Sequence, residues 1–329
     1  GGLWRSTRRW ITGSRAYRRH RARQRMEERR SAIAALGFAP DKVSFCDHHE
    51  GHAATAYHGL RRDEGPYLVL TLDGGGDGLS GSVWIGCDGT LECHETIPQA
   101  DSLGEIYAVT THLLGFTPLE HEYKLMGMAP YADPRYAEPA ARIYDGYLGF
   151  DDERPLRFRR LVSEPLSEVG PRLERDLGRI RFDSVCAGLQ LFTERILCEW
   201  VRRCVRQTGV GRVLGAGGVF MNVKANKAVS ELSEVESFEA FPSCGDESLP
   251  MGACYLEARD LGAQSAPIEH CYLGNDLSPQ ECRQAVAEAG DRVTAEEPSD
   301  MADRVAQILA DGEVVARAAG PMEFGARAL

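Results

Sequence analysis

Tyr67-Leu68-Val69-Leu70-Thr71-Leu72-Asp73-Gly74-Gly75-Gly76-Asp77-Gly78 decides the fold class. The run from Tyr67 to Leu72 is compact and apolar enough for a buried strand, and it ends on an aspartate followed by a triple-glycine loop. Gly81 to Cys87 reads as a second strand that turns at Asp88-Gly89 into a third, Thr90 to His94, because Asp-Gly between two such runs is a strong hairpin signal. Upstream, Met26 to Leu36 reads as a short helix closed by Gly37. An extended run, Lys42 to Cys46, then leads to a helix with Asp47 as a plausible N-cap. Downstream, Val185, Leu189, Phe192, Ile196 and Trp200 recur at helical spacing and mark the core face of a long helix starting near Asp183. A strand ending at Arg212-Val213-Leu214, the loop Gly215-Ala216-Gly217-Gly218, a helical run from Asn222 and a strand Val235 to Phe241 follow. The loop Pro242 to Asp246 then opens a helix through Leu249 to Leu261. Strands that alternate with helices predict an α/β fold.

The domain expectation is a basic segment 1–36, a main domain 37–262, a linker over 262–270 and a new unit over 271–329. The last unit should hold helices near Pro279 to Ala289 and Met301 to Ala310 and an apparent strand at Val314 to Ala316. The chain starts on Gly1 and stops at Leu329 just after that strand, so the expectation is a piece of a longer protein.

A net charge of −11 conceals an asymmetry. Residues 1–30 carry eleven arginines against Glu27 and Glu28, whereas the rest carries 27 basic against 47 acidic residues. An acidic body is a poor platform for nucleic acid. The arginine arm lacks a sustained apolar stripe and reads as a solvated surface segment. No stretch approaches the roughly 20 apolar residues of a bilayer span, and the first thirty residues lack the apolar core of a signal peptide. A cytoplasmic location is the expectation. Ten cysteines without any C-x-x-C pair argue against a zinc ribbon or thioredoxin-like site and are expected to be reduced and mostly buried.

His48 and His52, spaced i and i+4, share one helical face where both imidazoles can grip a cation. Alone, such a pair more often marks structural or surface histidines than a metal site. Asp73 at a strand end before bare backbone, and Asp246 in a similar context in the second half, shift the balance toward one hard, partly open metal site. Glu50 lies one position off the histidine face and reads as a solvated or supporting carboxylate. Gly74, Gly75, Gly217 and Gly218 can aim amides at phosphate oxygens, or form tight turns. No Walker motif or G-x-G-x-x-G fingerprint occurs, which disfavours P-loop kinases and Rossmann dehydrogenases.

His48-x-x-x-His52, Leu70 to Gly78, Ser102-Leu103-Gly104-Glu105-Ile106-Tyr107, Glu122 to Tyr131, Gly217-Gly218-Val219-x-x-Asn222, Gly245-Asp246 and Met322-Glu323-Phe324-Gly325-x-Arg327-Ala328-Leu329 occur in this order. Together, from about residue 40 to the end, they resemble the O-carbamoyltransferase family of nodulation protein U and the antibiotic carbamoyltransferases. The resemblance implies an actin-like ATPase domain (a duplicated ribonuclease H-like fold) of the tRNA threonylcarbamoyl transferase type, followed by the start of a YrdC-like α/β domain. It implies ATP-dependent transfer of a carbamoyl group from carbamoyl phosphate, via carbamoyl-adenylate, to a hydroxyl of a small molecule such as a sugar or aminoglycoside. His48, His52 and Asp73 would be catalytic, and these three with Asp246 would bind Fe(II) or another divalent metal. Gly74, Gly75, Lys124, Gly217, Gly218, Asn222 and Arg327 would bind ATP, with Mg, or carbamoyl phosphate.

The chain departs from the family pattern at three places. An early strand with its phosphate-binding loop is missing, Glu247-Ser248 replaces Asp-Gly, and Ala326 replaces a proline. The partner expectation is a small-molecule acceptor, no nucleic acid and no membrane, with a homodimer allowed. Two alternatives compete with this reading: threonylcarbamoyl transfer to tRNA, because His-x-x-x-His is shared with that relative, and a nucleotide-binding module whose chemistry has been lost.

Overall fold

The computed structural model describes residues 15–263 and 265–325 and divides into two compact units between Asp47 and His48. In the first unit, α1 (Arg15–Ala35) is followed by a 3-10 turn at Pro40–Lys42. The helix expected from Met26 is therefore the second half of a longer one. Arginine is a good helix former, and no glycine or proline interrupts Arg15 to Ala35, so an apolar-stripe criterion misses its start. Gln24 to Arg29 are exposed, as a solvated segment should be. Lys42 to Cys46 forms no strand; Lys42 belongs to the turn, which Arg30 Nη1 anchors by donating to the Pro40 carbonyl at 3.2 Å.

The second unit opens with α2 (His48–Leu60), then β1 (Tyr67–Gly76), β2 (Leu79–Cys87) and β3 (Thr90–Pro98). Next come α3 (Leu103–Leu113), α4 (Glu122–Met128), α5 (Pro134–Asp145), a small hairpin of β4 (Leu148–Phe150) and β5 (Phe158–Arg160), α6 (Gly170–Leu177) and α7 (Phe182–Thr208). β6 (Arg212–Ala216), α8 (Val223–Ser230), β7 (Ser237–Ala240) and α9 (Leu249–Asp260) complete the α/β body. The central sheet has the order β3-β2-β1-β6-β7. β1 is its pivot, antiparallel to β2 and parallel to β6.

Both hairpin turns, Asp77-Gly78 and Asp88-Gly89, have positive φ at both central residues (51° and 88°, 50° and 75°), the twist-matched geometry for two-residue loops. β3 outruns its expected end at His94. Glu95, which reads as a strand terminator, is buried and held by Arg154 at 2.6 and 2.9 Å. The glycines after Asp73 are also not a free loop. β1 continues through Gly76 with a register shift between Leu72 and Gly76, and Asp73 sits in that irregular stretch.

The core lies between the sheet and its helices. Val185, Leu189, Phe192, Ile196 and Trp200 of α7 are buried in it, as their spacing predicts. α2 packs on β1, β2 and β6, and α9 packs on α2. There the backbones nearly touch, since a Cβ built on Gly252 would fall 2.0 Å from the Gly51 carbonyl oxygen. Thr55 Oγ1 donates across this contact to the Ser248 carbonyl at 3.1 Å.

Beyond α9, α10 (Pro279–Ala289) begins with a capping box between Ser278 and Glu281, and α11 (Met301–Ala310) is capped by Asp300. Both match their expected spans, and neither buries a residue. Val314 to Ala316 forms no strand, and Val314 is almost fully exposed. β-branched residues favour extended backbone, but a strand needs a partner edge, and none pairs there.

Candidate metal centre and cleft

Four side chains from three distant stretches converge at the carboxyl end of β1. α2 places His48 and His52 one turn apart, with ring centroids separated by 4.8 Å. Asp73 Oδ2 lies 3.3 Å from His48 Nε2 and 3.2 Å from His52 Nε2. Asp246 Oδ1 lies 3.5 and 3.4 Å from the same two nitrogens. All four donor atoms lie within 4.8 Å of one another. Donors about 2.1 Å from one ion stand roughly 3.0–3.5 Å apart, so these spacings suit a single divalent cation.

Local structure explains the convergence. The His48 amide donates to Asp77 Oδ2 at 3.1 Å, which ties the start of α2 to the first hairpin turn. The Gly74 amide donates to Asp73 Oδ1 at 2.7 Å, so Oδ1 is held and Oδ2 faces the histidines. Ser102, the N-cap of α3, accepts from the Glu105 amide and donates to the Asp73 carbonyl at 3.2 Å. Gly217, at φ 100°, carries the chain over β1, where a Cβ would strike the Leu72 carbonyl oxygen.

Burial works against the charges here, and their mutual contacts win. Burial would push the Asp73 carboxyl up, but hydrogen bonds from His48, His52 and the Gly74 amide hold it well below the usual carboxylate range. Burial likewise disfavours charge on His52, yet hydrogen bonds to Asp246 and Asp73 raise its pKa. An ion pair this desolvated is poised to exchange its shared protons for a cation.

A cleft of about 470 Å³ adjoins the cluster, lined by Asp73, Gly74, Gly75, Gly218, Asn222 and Asp246 together with Glu105, Tyr107, Glu120, Glu122, Tyr123 and Met126. Among the described residues, no lysine or arginine lines it. Gly74 leaves open space where a side chain would stand, and a Cβ on Gly218 would approach Asp73 Oδ1 to 3.1 Å. Asn222 reaches the cleft, but its amide is engaged: it caps α8 and exchanges two hydrogen bonds with Gln190 at 3.0 and 2.9 Å. Lys124 is not among the residues lining this cleft. Its ammonium lies 5.6 Å from the Phe116 ring centroid and 5.8 Å from that of Tyr123. Glu50 pairs with Arg259 at 3.7 Å and is not part of the four-residue cluster. Arg327 and Ala326 lie outside the described residues.

Residues 32–255 match the family model for the carbamoyltransferase N-terminus. The chain belongs to this carbamoyltransferase family. It is 32% identical over 302 residues to nodulation protein NolNO of Sinorhizobium fredii, covering 88% of this chain and 42% of that protein. It is 31% identical to nodulation protein NolO of Bradyrhizobium diazoefficiens, covering 86% and 52%. A tRNA N6-adenosine threonylcarbamoyltransferase of Salinibacter ruber is 26% identical, covering 64% and 62%. The chain spans about half the length of these nodulation relatives.

Several cleft residues, Glu105, Tyr107, Glu122 and Tyr123 among them, belong to motifs of the family resemblance, yet none of these four had an assigned role. Their signal was order along the chain. Which of their faces meets the cleft depends on the packing of α3 and α4. Among the described residues, no helix is long and apolar enough to cross a membrane.

Proposed function

We propose that the chain is the acceptor-carbamoylating part of an ATP-dependent O-carbamoyltransferase that acts on a small-molecule hydroxyl. The observation that carries this reading is the His48, His52, Asp73 and Asp246 cluster at the mouth of a glycine-lined cleft, in a chain of the carbamoyltransferase family. The main body, to about residue 262, corresponds in this reading to an actin-like domain of the threonylcarbamoyl transferase type. Residues 271–329 correspond to the opening of a YrdC-like domain that makes carbamoyl-adenylate from ATP and carbamoyl phosphate.

Two imidazoles and two carboxylates form a mixed N/O donor set suited to Fe(II), with positions left open. Bound there, the ion supplies Lewis acidity toward an oxygen of the adenylate or the acceptor. Asp73 and the two histidines would orient that oxygen, while the bare backbone at Gly74 and Gly218 leaves room for a nucleotide phosphate; at Gly75 the Gln99 side chain occupies the position a Cβ would take. The acceptor hydroxyl attacks the carbamoyl carbon, the bond to the adenylate phosphate breaks, AMP leaves and the hydroxyl proton is released. No protein nucleophile is required, in keeping with the lack of a Ser-His-Asp arrangement among the lining residues.

Threonylcarbamoyl transfer to tRNA is the second reading, supported by the shared His-x-x-x-His spacing. The cleft argues against it, because five carboxylates and, among the described residues, no basic residue line the approach that RNA phosphates would take. The test is AMP release from ATP and carbamoyl phosphate by the full-length gene product, with and without a polyhydroxyl acceptor. AMP release that depends on tRNA and on added threonine and bicarbonate, with carbamoyl phosphate left out, would favour the second reading, and no release in either mixture would favour a nucleotide-binding module.

A further inference from the structure

His49 stands between two ligands of the cluster, yet it faces away from them into the sheet. It is fully buried, and its Nδ1 lies 2.8 Å from Thr71 Oγ1, two residues before Asp73 on β1. Thr71 and Ser82 are directly opposite across β1 and β2, with their hydroxyl oxygens 2.5 Å apart. Trp84 Nε1 donates to Ser82 Oγ at 2.6 Å. Four side chains thus form one polar relay through otherwise apolar packing, starting beside the metal ligands and ending on a partly buried indole.

The relay has a direction. An indole N–H only donates, so Ser82 Oγ accepts from Trp84. If Ser82 then donates to Thr71, and Thr71 to His49 Nδ1, both hydroxyl hydrogens are used and Nδ1 carries none. The opposite sense would leave the buried Ser82 hydroxyl hydrogen without an acceptor among the described residues. With Nδ1 accepting from Thr71, the single proton of the neutral imidazole is on Nε2.

We propose that His49 is a positioning residue of the metal centre, held as its Nε2–H tautomer by the Trp84–Ser82–Thr71 relay. Its bond to Thr71 joins the helix that carries His48 and His52 to the strand that carries Asp73. That bond sets the separation between the histidine pair and the carboxylate, a separation of just over 3 Å that a cation demands. The proposal rests on reading the cluster as a metal centre.

Two measurements test it on the whole chain. Long-range proton–nitrogen correlation on metal-free protein labelled in histidine, with the His49 signals assigned from their loss in His49→Gln, should give the Nε2–H pattern. An Nδ1–H pattern overturns the relay. Co(II) titration, followed by visible absorption, should give Thr71→Val a 10- to 100-fold weaker affinity than the wild type, with Thr71→Ser restoring most of it. Equal affinity in Thr71→Val overturns the positioning role while leaving the metal centre standing. A wild type that takes up no Co(II) overturns the metal reading and this one with it. If Thr71→Val does not fold, Trp84→Phe serves instead: it removes the fixed donor and should produce a mixture of His49 tautomers, and a single unchanged tautomer overturns the proposal.

Discussion

Gly76 lies so close under the imidazole of His48 that a Cβ built on it would fall 2.1 Å from Cγ of that ring. The glycine run after Asp73 therefore does more than clear a path for ligands. Its last member makes room for the first histidine of the cluster, and that histidine cannot yield without breaking its approach to Asp73 and Asp246.

Gly76→Ala should accordingly behave as a metal-binding variant. Divalent metal affinity is expected to fall at least about tenfold, as displacement of a ligand's support usually costs. His48→Ala should bind weaker still, because a ligand itself is gone. Metal content after dialysis, measured for both variants and the wild type, checks this ordering. Equal metal in wild type and His48→Ala would remove His48 from the site.

Chelation gives a second prediction through mass action. An ion that binds only the folded chain stabilises it by about 2.7 kcal/mol at a hundred times its dissociation constant. The melting temperature of the wild type should rise with added Fe(II) and fall with a chelator, whereas that of Asp73→Asn should respond to neither. Identical shifts in both proteins would place the ion elsewhere.

Gly218→Ala tests the second glycine loop. The added methyl would stand 3.1 Å from Asp73 Oδ1, beside the cleft and not in the core. ATP affinity should drop several-fold with little change in unfolding free energy. A variant that binds ATP as well as the wild type would reduce this loop to a turn.

Asn222→Ala should be costly to stability for a reason unrelated to ligand. It removes the cap of α8 and two hydrogen bonds to the buried Gln190 amide, which keeps Glu194 and Tyr107 as partners, so the loss should be about 1–2 kcal/mol. Urea unfolding of the variant measures it, and a loss under about 0.5 kcal/mol would show that water or a rotamer change replaces both contacts.

His58 gives a pH prediction away from the cluster. Burial, aided by the charges of Arg61 and Arg259, lowers its pKa to about 4. Neither ring nitrogen has a hydrogen-bond partner among the described residues, and the ring lies against Tyr255. An unfolded histidine takes up its proton near 6.5, so between about pH 6.5 and 4 the unfolded chain holds more protons than the folded one. The contribution of His58 to stability should thus be constant above this window and fall as pH drops through it, by about 1.4 kcal/mol per unit at most. Unfolding free energies at pH 7 and pH 5 should differ less in His58→Phe than in the wild type.

The cluster was legible because each member announces itself locally. A four-residue spacing aligns two imidazoles on any helix, and an aspartate at the end of an apolar strand is read from its neighbours. What stayed hidden depends on contacts far along the chain. Glu95 looks like a strand end until Arg154, 59 residues on, buries its charge. Asn222 looks like a ligand-binding amide until Gln190, 32 residues back, takes up its hydrogen bonds. Lys124 sits in a specific motif, but only the packing of α4 decides that its ammonium meets Phe116 and Tyr123. Val314 has the composition of a strand and no edge to join.

The four clustered side chains differ steeply in exposure, from 0% for His52 through 14% and 18% for His48 and Asp73 to 69% for Asp246. On the proposed reading, an ion coming from solvent would meet Asp246 before it met His52, so the cluster would be entered from its carboxylate side and closed off on its imidazole side.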